Sequence, residues 1–418
     1  MNKLQNPPFV DYSEFLVHNY LDYGKTVNIS RAIPGTDGLK PVYRRVLMGL
    51  KDCANGKLIG SVTAIGAIQK YHSFGDASIH GVLSDMARVG AIDSHGAVGV
   101  KLIESLPPAA PRYTKSGLTR EQSKYWFNLI DYSPIIESDV GLEPEYLITP
   151  VPYCLVYGAL NWGLGVLGRT PAFTYSSLLD AYVNDDPNKL IPQYGYICDY
   201  EKSELNELWN KGSGKLALSY KCIRVDTNEI LICGSGEVFV PNYSALNKFI
   251  KEGKIEVINE STNQVSIRIR KVHRIHCDMD EIFSICQRIS KHSREYNILI
   301  VKDNKVSRIS IKDWLKLTIS RFIEAFNKSK SDRVLKLKNE IQVLTFLPEV
   351  GKLLLNDLSD EDILLKVKGL DKNILNSIKK KSIGSLRKKD SSIEIEKLEK
   401  EISNINSENA ETVIKNSM

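Results

Sequence analysis

The hydrophobic periodicity of this 418-residue chain changes twice, so no single repeating architecture can accommodate all of it. Residues 1–142 show helical spacing in YSEFLVHNYLDY, RRVLMGLKD and SIHGVLSDMARVG. Residues 143–310 contain short alternating segments that predict strands, such as KCIRV, EILIC, EVFVP, KIEVI and VSIRIR. Helical spacing returns over 311–418. We therefore predict an α+β protein with domains at 1–142, 143–310 and 311–418.

The third segment predicts two long helices. Ser310 is a predicted N-cap with Asp313 three residues later, and Pro348 is predicted to end the first helix. One face of that helix would carry Ile311, Leu315, Ile319, Phe322, Ile323 and Phe326. The second helix has a short heptad seam, formed by Ile395, Leu398, Ile402 and Ile405. Together they predict an antiparallel coiled coil with a small helical segment between its arms.

Composition excludes several classes of protein. With 42% hydrophobic and 25% charged residues, the chain is neither collagen-like nor wholly disordered. No apolar run reaches the roughly 18 residues that cross a bilayer, and the N-terminus lacks the apolar core of a signal peptide. The seven cysteines are scattered without a C-x-x-C pair, which predicts reduced, structural thiols. These features predict a cytoplasmic protein that does not enter a membrane.

The formal charge of +6 is unevenly distributed. Basic residues exceed acidic ones by five over 1–120 and by six over 301–418, whereas acidic residues exceed basic ones by five between them. Two basic ends are compatible with a polyanionic partner, and also with an ordinary solvated surface.

Three glycine-bearing segments partly match the motifs of phosphate-binding loops. YGKT at 23–26 and KGSGKL at 211–216 lack residues that a P-loop requires. GLGVLG at 163–168 matches G-x-G-x-x-G, although Pro171 lies where the phosphate-binding helix should continue. A nicotinamide-dependent enzyme therefore stays an alternative. His273, His276 and Cys277 give only part of a zinc ligand set, so a histidine pair without metal is the preferred interpretation, and we predict no metal site in this chain.

The strongest candidate site combines three segments of the first domain, which are SRAIPGTDGLKPVYRR, YHSFGDASIHGVLSDMARVGA and AAPRYTKSGLTR. Their cationic side chains suit phosphate, and a helix that follows a glycine-bearing loop can direct its first amides at an anion. Arg112 stands directly before Tyr113, and Lys115 follows two residues later.

These segments resemble the breakage and rejoining subunit of type IIA DNA topoisomerases, the family of the gyrase A subunit, the topoisomerase IV C subunit and the medium subunit of T-even phage topoisomerase. The matches run in family order through NYLDYGKTVNISRAIP, DGLKPVYRRVL, YHSFGD and AAPRYT. The resemblance implies a winged-helix domain, a mixed α/β tower domain, and a long antiparallel coiled coil with a small helical dimerisation gate.

The resemblance also implies the chemistry. Tyr113 would attack a DNA phosphate and form a transient 5′-phosphotyrosyl bond. A phenol has a pKa of about 10, so this attack needs neighbouring cations, for which Arg112 and Arg31 are candidates together with His72. The implied DNA contacts are Lys40, Tyr43, Arg44, Arg45 and Lys115, with Leu164 as an apolar wedge that enters the base stack. Phe74 departs from the family, because a second histidine usually stands there.

The implied partners are double-stranded DNA, a second copy of the chain, and an ATPase/Toprim subunit in a heterotetramer. Mg²⁺ and ATP would bind mainly to that subunit. Because the chain stops soon after the return helix, we expect relaxation or decatenation of DNA rather than supercoiling, and the short format is typical of a phage enzyme in a bacterial cytoplasm. The alternative is a catalytically inactive DNA-binding paralogue of the same fold.

Overall fold

The computed structural model describes residues 11–54, 56–73, 75–99, 106–120, 122–138, 141–193, 196–197, 202–235, 242–261, 264–272, 275–356, 358–382 and 391–416. Contacts divide the chain into two compact units, with the boundary between Arg321 and Phe322, inside one long helix.

The helices of the first unit confirm three predicted segments. Its helices are α1 Tyr12–Val27, α2 Pro41–Ala54, α3 Ser61–Ile68, α4 Asp76–Arg88, α5 Tyr153–Tyr157, α6 Tyr175–Asn184, α7 Lys202–Lys211, α8 Asn247–Lys251 and α9 Met279–Ile289. Shorter helical turns cover Asn28–Ala32, Pro111–Tyr113, Gln122–Trp126, Phe127–Tyr132, Pro187–Lys189 and Tyr243–Leu246. YSEFLVHNYLDY, RRVLMGLKD and SIHGVLSDMARVG lie in α1, α2 and α4. Helix α3 was not predicted, since SVTAIGAI has no polar face to reveal a helical period.

The strands of the first unit form antiparallel sheets. They are β1 Ile59–Gly60, β2 Asp93–His95, β3 Lys115–Gly117, β4 Ile135–Ser138, β5 Gly141–Pro144, β6 Ala159–Trp162, β7 Leu167–Thr170, β8 Tyr196–Ile197, β9 Ser213–Ser219, β10 Lys221–Asp226, β11 Glu229–Ser235, β12 Ile255–Asn259, β13 Gln264–Lys271, β14 Lys291–Asn297, β15 Leu299–Lys302 and β16 Lys305–Arg308. The strand orders are β1-β3-β2, β4-β5, β6-β7-β14-β9-β8, β10-β11-β13-β12 and β15-β16. The mixture of helices and antiparallel sheets confirms the α+β class.

The four-stranded sheet carries most of the predicted strands. KCIRV, EILIC, KIEVI and VSIRIR lie in β10 to β13, whereas EVFVP lies outside the described residues. Ile230 pairs with Ile269 and Ile232 with Ile267, so one face of the sheet is continuously apolar and buried. Helix α9 covers that face with Ile282. This packing gives the alternating segments their shared core.

A long helix, α10 Ile311–Leu354, begins in the first unit. The hydroxyl of Ser310 accepts a hydrogen bond from the Asp313 amide at 3.0 Å, which confirms the predicted N-cap. The indole of Trp314 donates to the Thr36 carbonyl oxygen at 2.6 Å, and the Arg321 guanidinium donates to the Thr36 hydroxyl at 2.6 Å. The start of α10 therefore fixes the loop that precedes α2.

The second unit contains the rest of α10 with α11 Asp360–Lys366, α12 Lys372–Lys379, α13 Ser392–Ser407 and α14 Ala410–Asn416. The prediction that Pro348 ends the long helix was wrong, because α10 continues through it to Leu354. Leu347 and Val350, on either side of the proline, are buried in the core of this unit. Their burial offsets the hydrogen bond that proline cannot donate.

Bilayer crossing requires a helix that is both long and apolar, and the part of the chain that the structure describes contains none.

Candidate functional site

Tyr113 ends a helical turn, Pro111–Tyr113, that leads into β3. The side chain of Tyr113 is 64% exposed, whereas the next residue, Thr114, is buried. The Thr114 hydroxyl donates to Ser61 Oγ at 2.8 Å, and the Ser61 amide donates to the Thr114 carbonyl oxygen at 2.9 Å. Ser61 is the first residue of α3. The exposed phenol is thus attached to backbone that α3 holds in place.

Two cations accompany the phenol. The Arg112 guanidinium carbon lies 4.9 Å from the centre of the Tyr113 ring, a cation–π distance. Both side chains are exposed, and so is Lys115 on β3. The chain therefore exposes a phenol and two cationic side chains between residues 112 and 115.

Arg31 and His72 both line a cavity of about 640 Å³ that we call the Arg31 cavity. Arg31 is exposed on the helical turn Asn28–Ala32, and His72 is buried just after α3. Tyr113 is not among the described residues that line this cavity. The structure therefore groups Arg31 with His72 in a cavity whose described lining does not include Tyr113.

Arg44 and Arg45 also line the Arg31 cavity, but both are buried in ion pairs. Arg44 donates to both carboxylate oxygens of Asp37 at 2.9 Å. Arg45 donates to both carboxylate oxygens of Glu143 at 2.8 Å. In this arrangement the two guanidinium groups connect α2 to the loop before it and to β5.

The pKa of Glu143 reflects this pairing. Burial alone would raise it, but hydrogen bonds from Arg45 and Ser138, with the charges of Arg45 and Arg44, lower the pKa below its usual value. Glu143 therefore stays ionised near neutral pH. The family resemblance assigned Arg45 to DNA and did not identify Glu143 as its ion-pair partner.

Lys40 and Tyr43 line a second cavity of about 590 Å³, which we call the basic cavity. Its charged lining residues are Lys40, Asp85, Arg88, Arg169 and Arg294. The Lys40 ammonium donates to the Leu160 carbonyl oxygen at 3.2 Å, and burial lowers the pKa of Lys40. Burial, with smaller contributions from Asp85 and Cys154, raises the pKa of Tyr43 to about 12. The Tyr43 hydroxyl is thus a neutral hydrogen-bond donor.

Leu164 lies at the tip of the hairpin that joins β6 to β7. Asn28 holds this tip on two sides, because the Leu164 amide donates to Asn28 Oδ1 at 2.8 Å and Asn28 Nδ2 donates to the Leu164 carbonyl oxygen at 3.0 Å. A Cβ atom at Gly163 would clash with the Asn28 side-chain amide, so a larger residue there would displace the group that holds the tip. The Leu164 side chain is half-buried.

Trp162 was not predicted as a site residue. It is 73% exposed on the same hairpin, whereas its neighbour Asn161 is fully buried. The sequence did contain a clue to Trp162. The alternation of this strand is the reverse of the usual one, because apolar Leu160 and Trp162 face outward and polar Asn161 faces inward. An exposed aromatic side chain beside the predicted wedge adds a second apolar surface to this hairpin.

The hairpin also excludes the dinucleotide interpretation of GLGVLG. A dinucleotide loop connects a strand to a helix, whereas residues 163–166 form the turn between antiparallel strands β6 and β7, and residues 167–168 begin β7. KGSGKL likewise runs from the end of α7 into β9. Phe74 and His273 lie outside the described residues.

Comparison with known proteins supplies the class. The profile of the family that comprises the A subunits of DNA gyrase and topoisomerase IV matches residues 31–418. The DNA gyrase A subunit of Brachyspira hyodysenteriae is 27% identical over 297 residues, which is 61% of this chain and 34% of that protein. Its counterpart from Thermotoga maritima is 32% identical over 236 residues, with 49% of this chain and 28% of that protein covered. The gyrase A protein of Granulibacter bethesdensis is 34% identical over 186 residues, with coverages of 41% and 20%.

The family profile covers most of the chain, and it includes the Tyr113 turn and nearly all residues that line the two cavities. The chain therefore belongs to the DNA gyrase and topoisomerase IV A-subunit family. It matches about a third or less of the length of these curated relatives.

Proposed function

We propose that this chain is the DNA cleavage and religation subunit of an ATP-dependent type IIA topoisomerase, which relaxes or decatenates DNA. The observation that carries the proposal is the exposed Tyr113 phenol with the Arg112 guanidinium 4.9 Å from its ring, in a chain of the gyrase A family.

The proposed reaction exchanges one phosphodiester for another. Tyr113 Oη bonds to phosphorus, and the bond from phosphorus to the 3′ oxygen breaks. The phenolic proton leaves as the attack proceeds, and the 3′ oxygen takes up a proton. Arg112 would stabilise the charge that grows on the phosphate oxygens, a role that its 4.9 Å distance from the centre of the Tyr113 ring supports. Reversal of the same steps reseals the strand without external energy.

We propose different roles for the other predicted residues. Arg31 and His72 assist the reaction from the Arg31 cavity, and Lys115 contacts the backbone near Tyr113. Lys40 and Tyr43 contact DNA from the basic cavity, and Leu164 is the wedge. The burial of Arg44 and Arg45 in ion pairs supports an indirect role, in which they hold α2 while other cations meet DNA.

We also propose the domain organisation of the family. Residues 1–142 would form the winged-helix domain, 143–310 the tower, and 311–418 the coiled coil with its dimerisation gate. The sheet β1-β3-β2 beside helices α2 to α4 supports the first, the larger sheets support the second, and the 44-residue α10 supports the third.

The working enzyme would be a homodimer within a heterotetramer in the cytoplasm, and its other component would supply the ATPase and Toprim domains. Mg²⁺ and ATP would bind mainly to that component. When bound there, the metal stabilises charge on the leaving 3′ oxygen. We include in the proposal a phage origin, with a bacterial cytoplasm as the setting.

The test combines the protein with a candidate ATPase/Toprim partner, Mg²⁺, ATP and supercoiled plasmid, and then traps intermediates with denaturant. We expect protein covalently attached to 5′ DNA ends. Tyr113→Phe should abolish these adducts and keep salt-dependent DNA binding, whereas Tyr182→Phe, a half-buried tyrosine of α6, should change neither. DNA binding without any adduct from the unmodified protein would favour the inactive paralogue instead.

A further inference from the structure

We propose that Cys222 and Cys286 form a reversible disulfide when a peroxide oxidises the protein, and that this bond fixes helix α9 against strand β10. The sequence predicted reduced, structural thiols, and the proposed cleavage reaction uses neither sulfur atom. Neither cysteine is in a disulfide in the structure. The inference goes beyond the proposed function, because both cysteines lie outside the Tyr113 site and outside both cavities.

The two sulfur atoms are in contact inside the core of the four-stranded sheet. The Cys286 thiol donates a hydrogen bond to the Cys222 sulfur atom. Cys222 pairs with Ile232, so its side chain lies on the same apolar face as that buried isoleucine. Cys286 lies one helical turn after Ile282, which covers this face, and it is fully buried. The two thiols therefore meet where the helix packs on the sheet.

Contacts on both sides of the cysteine pair hold α9 in one position along β10. Directly before β10, the Tyr220 amide donates to the Ser290 carbonyl oxygen at 2.9 Å, and Ser290 directly follows α9. On the other side, the Arg224 guanidinium of β10 donates to the Asp280 carboxylate near the start of α9 at 2.6 Å. The strand and the helix therefore run side by side in opposite directions, and the two cysteines lie between these contacts.

The two thiols differ in exposure and in acidity. Cys222 is half-buried, so a small oxidant can reach it from solvent, whereas Cys286 is fully buried. The hydrogen bond from Cys286 lowers the pKa of Cys222 despite its partial burial, and the same hydrogen bond and burial both raise the pKa of Cys286. The thiolate is the nucleophilic form of a cysteine. Cys222 is therefore the sulfur that reacts first, and Cys286 is the sulfur that completes the bond.

The proposed oxidation has two steps. The Cys222 sulfur attacks one oxygen of hydrogen peroxide, the O–O bond breaks, and the leaving hydroxide takes the thiol proton to become water. This step leaves a sulfenic acid on Cys222. The Cys286 sulfur then attacks the Cys222 sulfur, the S–O bond breaks, and the departing hydroxide takes the Cys286 proton to become a second water. Two thiols thus give two electrons to one peroxide, and a reducing dithiol reverses the change by exchange.

Strand β10 can make the movement that the bond requires. A disulfide holds its sulfur atoms about 2.05 Å apart, closer than two hydrogen-bonded thiols, so one backbone must shift. β10 is the edge strand of its sheet, and among the described residues it pairs with β11 alone. The pairing is already irregular between Arg224 and Asp226. A small displacement of β10 therefore disturbs a single ladder of hydrogen bonds.

The bond would close the base of an inserted segment. The chain leaves the five-stranded sheet after β9, forms the four-stranded sheet and α9, and returns in β14. Strands β9 and β14 are paired, with Ser219 opposite Lys291, so the two ends of the insertion lie side by side. A disulfide just inside these ends would restrict the opened segment and oppose local unfolding of α9.

The experiment treats the full chain with a small excess of hydrogen peroxide, alkylates the remaining thiols in denaturant, and maps the disulfides by mass spectrometry. We expect one linked pair of peptides, which joins Cys222 to Cys286. The number of alkylated cysteines should fall from seven to five, because a disulfide consumes two thiols. Dithiothreitol should restore all seven. A link between other cysteines, or peroxide treatment that yields no link, would overturn the inference.

Two variants test the order of the steps. Cys286→Ala should leave Cys222 as a sulfenic acid that dimedone captures, whereas Cys222→Ala should leave Cys286 unmodified. The matched control is Cys233→Ala. Cys233 is half-buried and pairs with Lys221, so its side chain lies on the other face of the sheet, and the disulfide should form as in the unmodified protein. Loss of the disulfide in this control would contradict the proposed pairing. The mapping on the unmodified protein needs no substitution, so misfolding of a variant does not affect it.

Hydrogen exchange measures the effect of the bond on α9. The amides of α9 should exchange about tenfold more slowly in the oxidised protein than in the reduced protein, because the disulfide opposes local unfolding of the insertion. The amides of α2, which lies outside the insertion, should exchange equally in both forms. Equal exchange of the α9 amides would show that the bond does not fix the helix and would overturn that part of the inference. Formation of 5′ DNA adducts is a separate measurement, so failure of the proposed function can be told apart from failure of this inference.

Discussion

At the scale of single residues, the ion pair between Arg45 and Glu143 gives a prediction about stability and pH. Glu143→Gln should lower the free energy of unfolding by about 3 kcal/mol near neutral pH, because a buried guanidinium would lose its counter-charge. The pKa of Glu143 is lowered in the fold, so its stabilisation is full above the unfolded value of 4.5 and is lost as the pH falls through the folded pKa. The difference between the two proteins should therefore shrink below that pH.

Denaturant unfolding at several pH values measures this difference. Glu145→Gln is the matched control, since Glu145 is exposed and lies two residues away. A constant difference between Glu143→Gln and the unmodified protein across the acid range would contradict the prediction.

A second residue, Trp162, predicts a fluorescence signal. Trp209 and Trp314 are fully buried, whereas Trp162 is 73% exposed on the β6–β7 hairpin. Stacking of its indole on DNA should change the tryptophan emission when a duplex is added. Trp162→Phe should remove most of that change while it weakens binding less than tenfold. An unchanged signal in the variant would place DNA away from this hairpin.

At the scale of elements, the tip of the β6–β7 hairpin is held by two hydrogen bonds between the Asn28 side chain and the backbone of Leu164. Asn28→Ala would leave the amide and carbonyl groups of Leu164 without these partners, at a cost of about 1–3 kcal/mol. We expect this variant and Leu164→Ala to bend a duplex less, as measured by energy transfer between its ends. Leu167→Ala, on the same hairpin and half exposed, should leave the bend unchanged. Normal bending by Leu164→Ala would remove Leu164 as the wedge.

The elements also show where sequence patterns succeed. Helices α1, α2 and α4, strands β10 to β13 and the Ser310 cap each have a local cause, a periodic face or a capping side chain, so they could be predicted. Helix α3 has no polar face, and the buried neighbours of Pro348 make continuation of α10 favourable. Helix α3 and the continuation of α10 past Pro348 therefore depend on tertiary packing, which a local sequence pattern does not show.

Some features of the candidate site could likewise be predicted from local sequence, and others could not. The resemblance of the segment APRYT to the family predicted Tyr113 as a site residue. Arg112 could be predicted beside it because the two residues are adjacent in the chain. The partner of Arg45 lies 98 residues away on β5, so no local pattern could show that this guanidinium is already occupied. Arg169 and Arg294 are distant in the chain and line one cavity on neighbouring strands, β7 and β14. Long-range strand pairing thus decides which cations are free to meet a ligand.

At the scale of the whole molecule, the proposed dimer predicts how cleavage divides between strands. Each protomer carries one Tyr113, so two-fold symmetry places one nucleophile at each strand. A heterodimer of unmodified and Tyr113→Phe protomers, isolated with two affinity tags, should nick one strand of a plasmid in the presence of the ATPase/Toprim partner. Double-strand breaks from that heterodimer would show that one tyrosine can serve both strands.

The buried hydroxyls behind Tyr113 have a mechanical consequence. While a strand is open, any tension on its 5′ end would pull on the backbone at position 113. Thr114 and Ser61 would pass that pull into α3, and the Ser61 hydroxyl, 3.0 Å from Ser116 Oγ, would share it with β3. The severed 5′ end would therefore be attached to the packed interior of the domain rather than to a flexible loop. The two ends of the broken strand would then stay aligned for resealing.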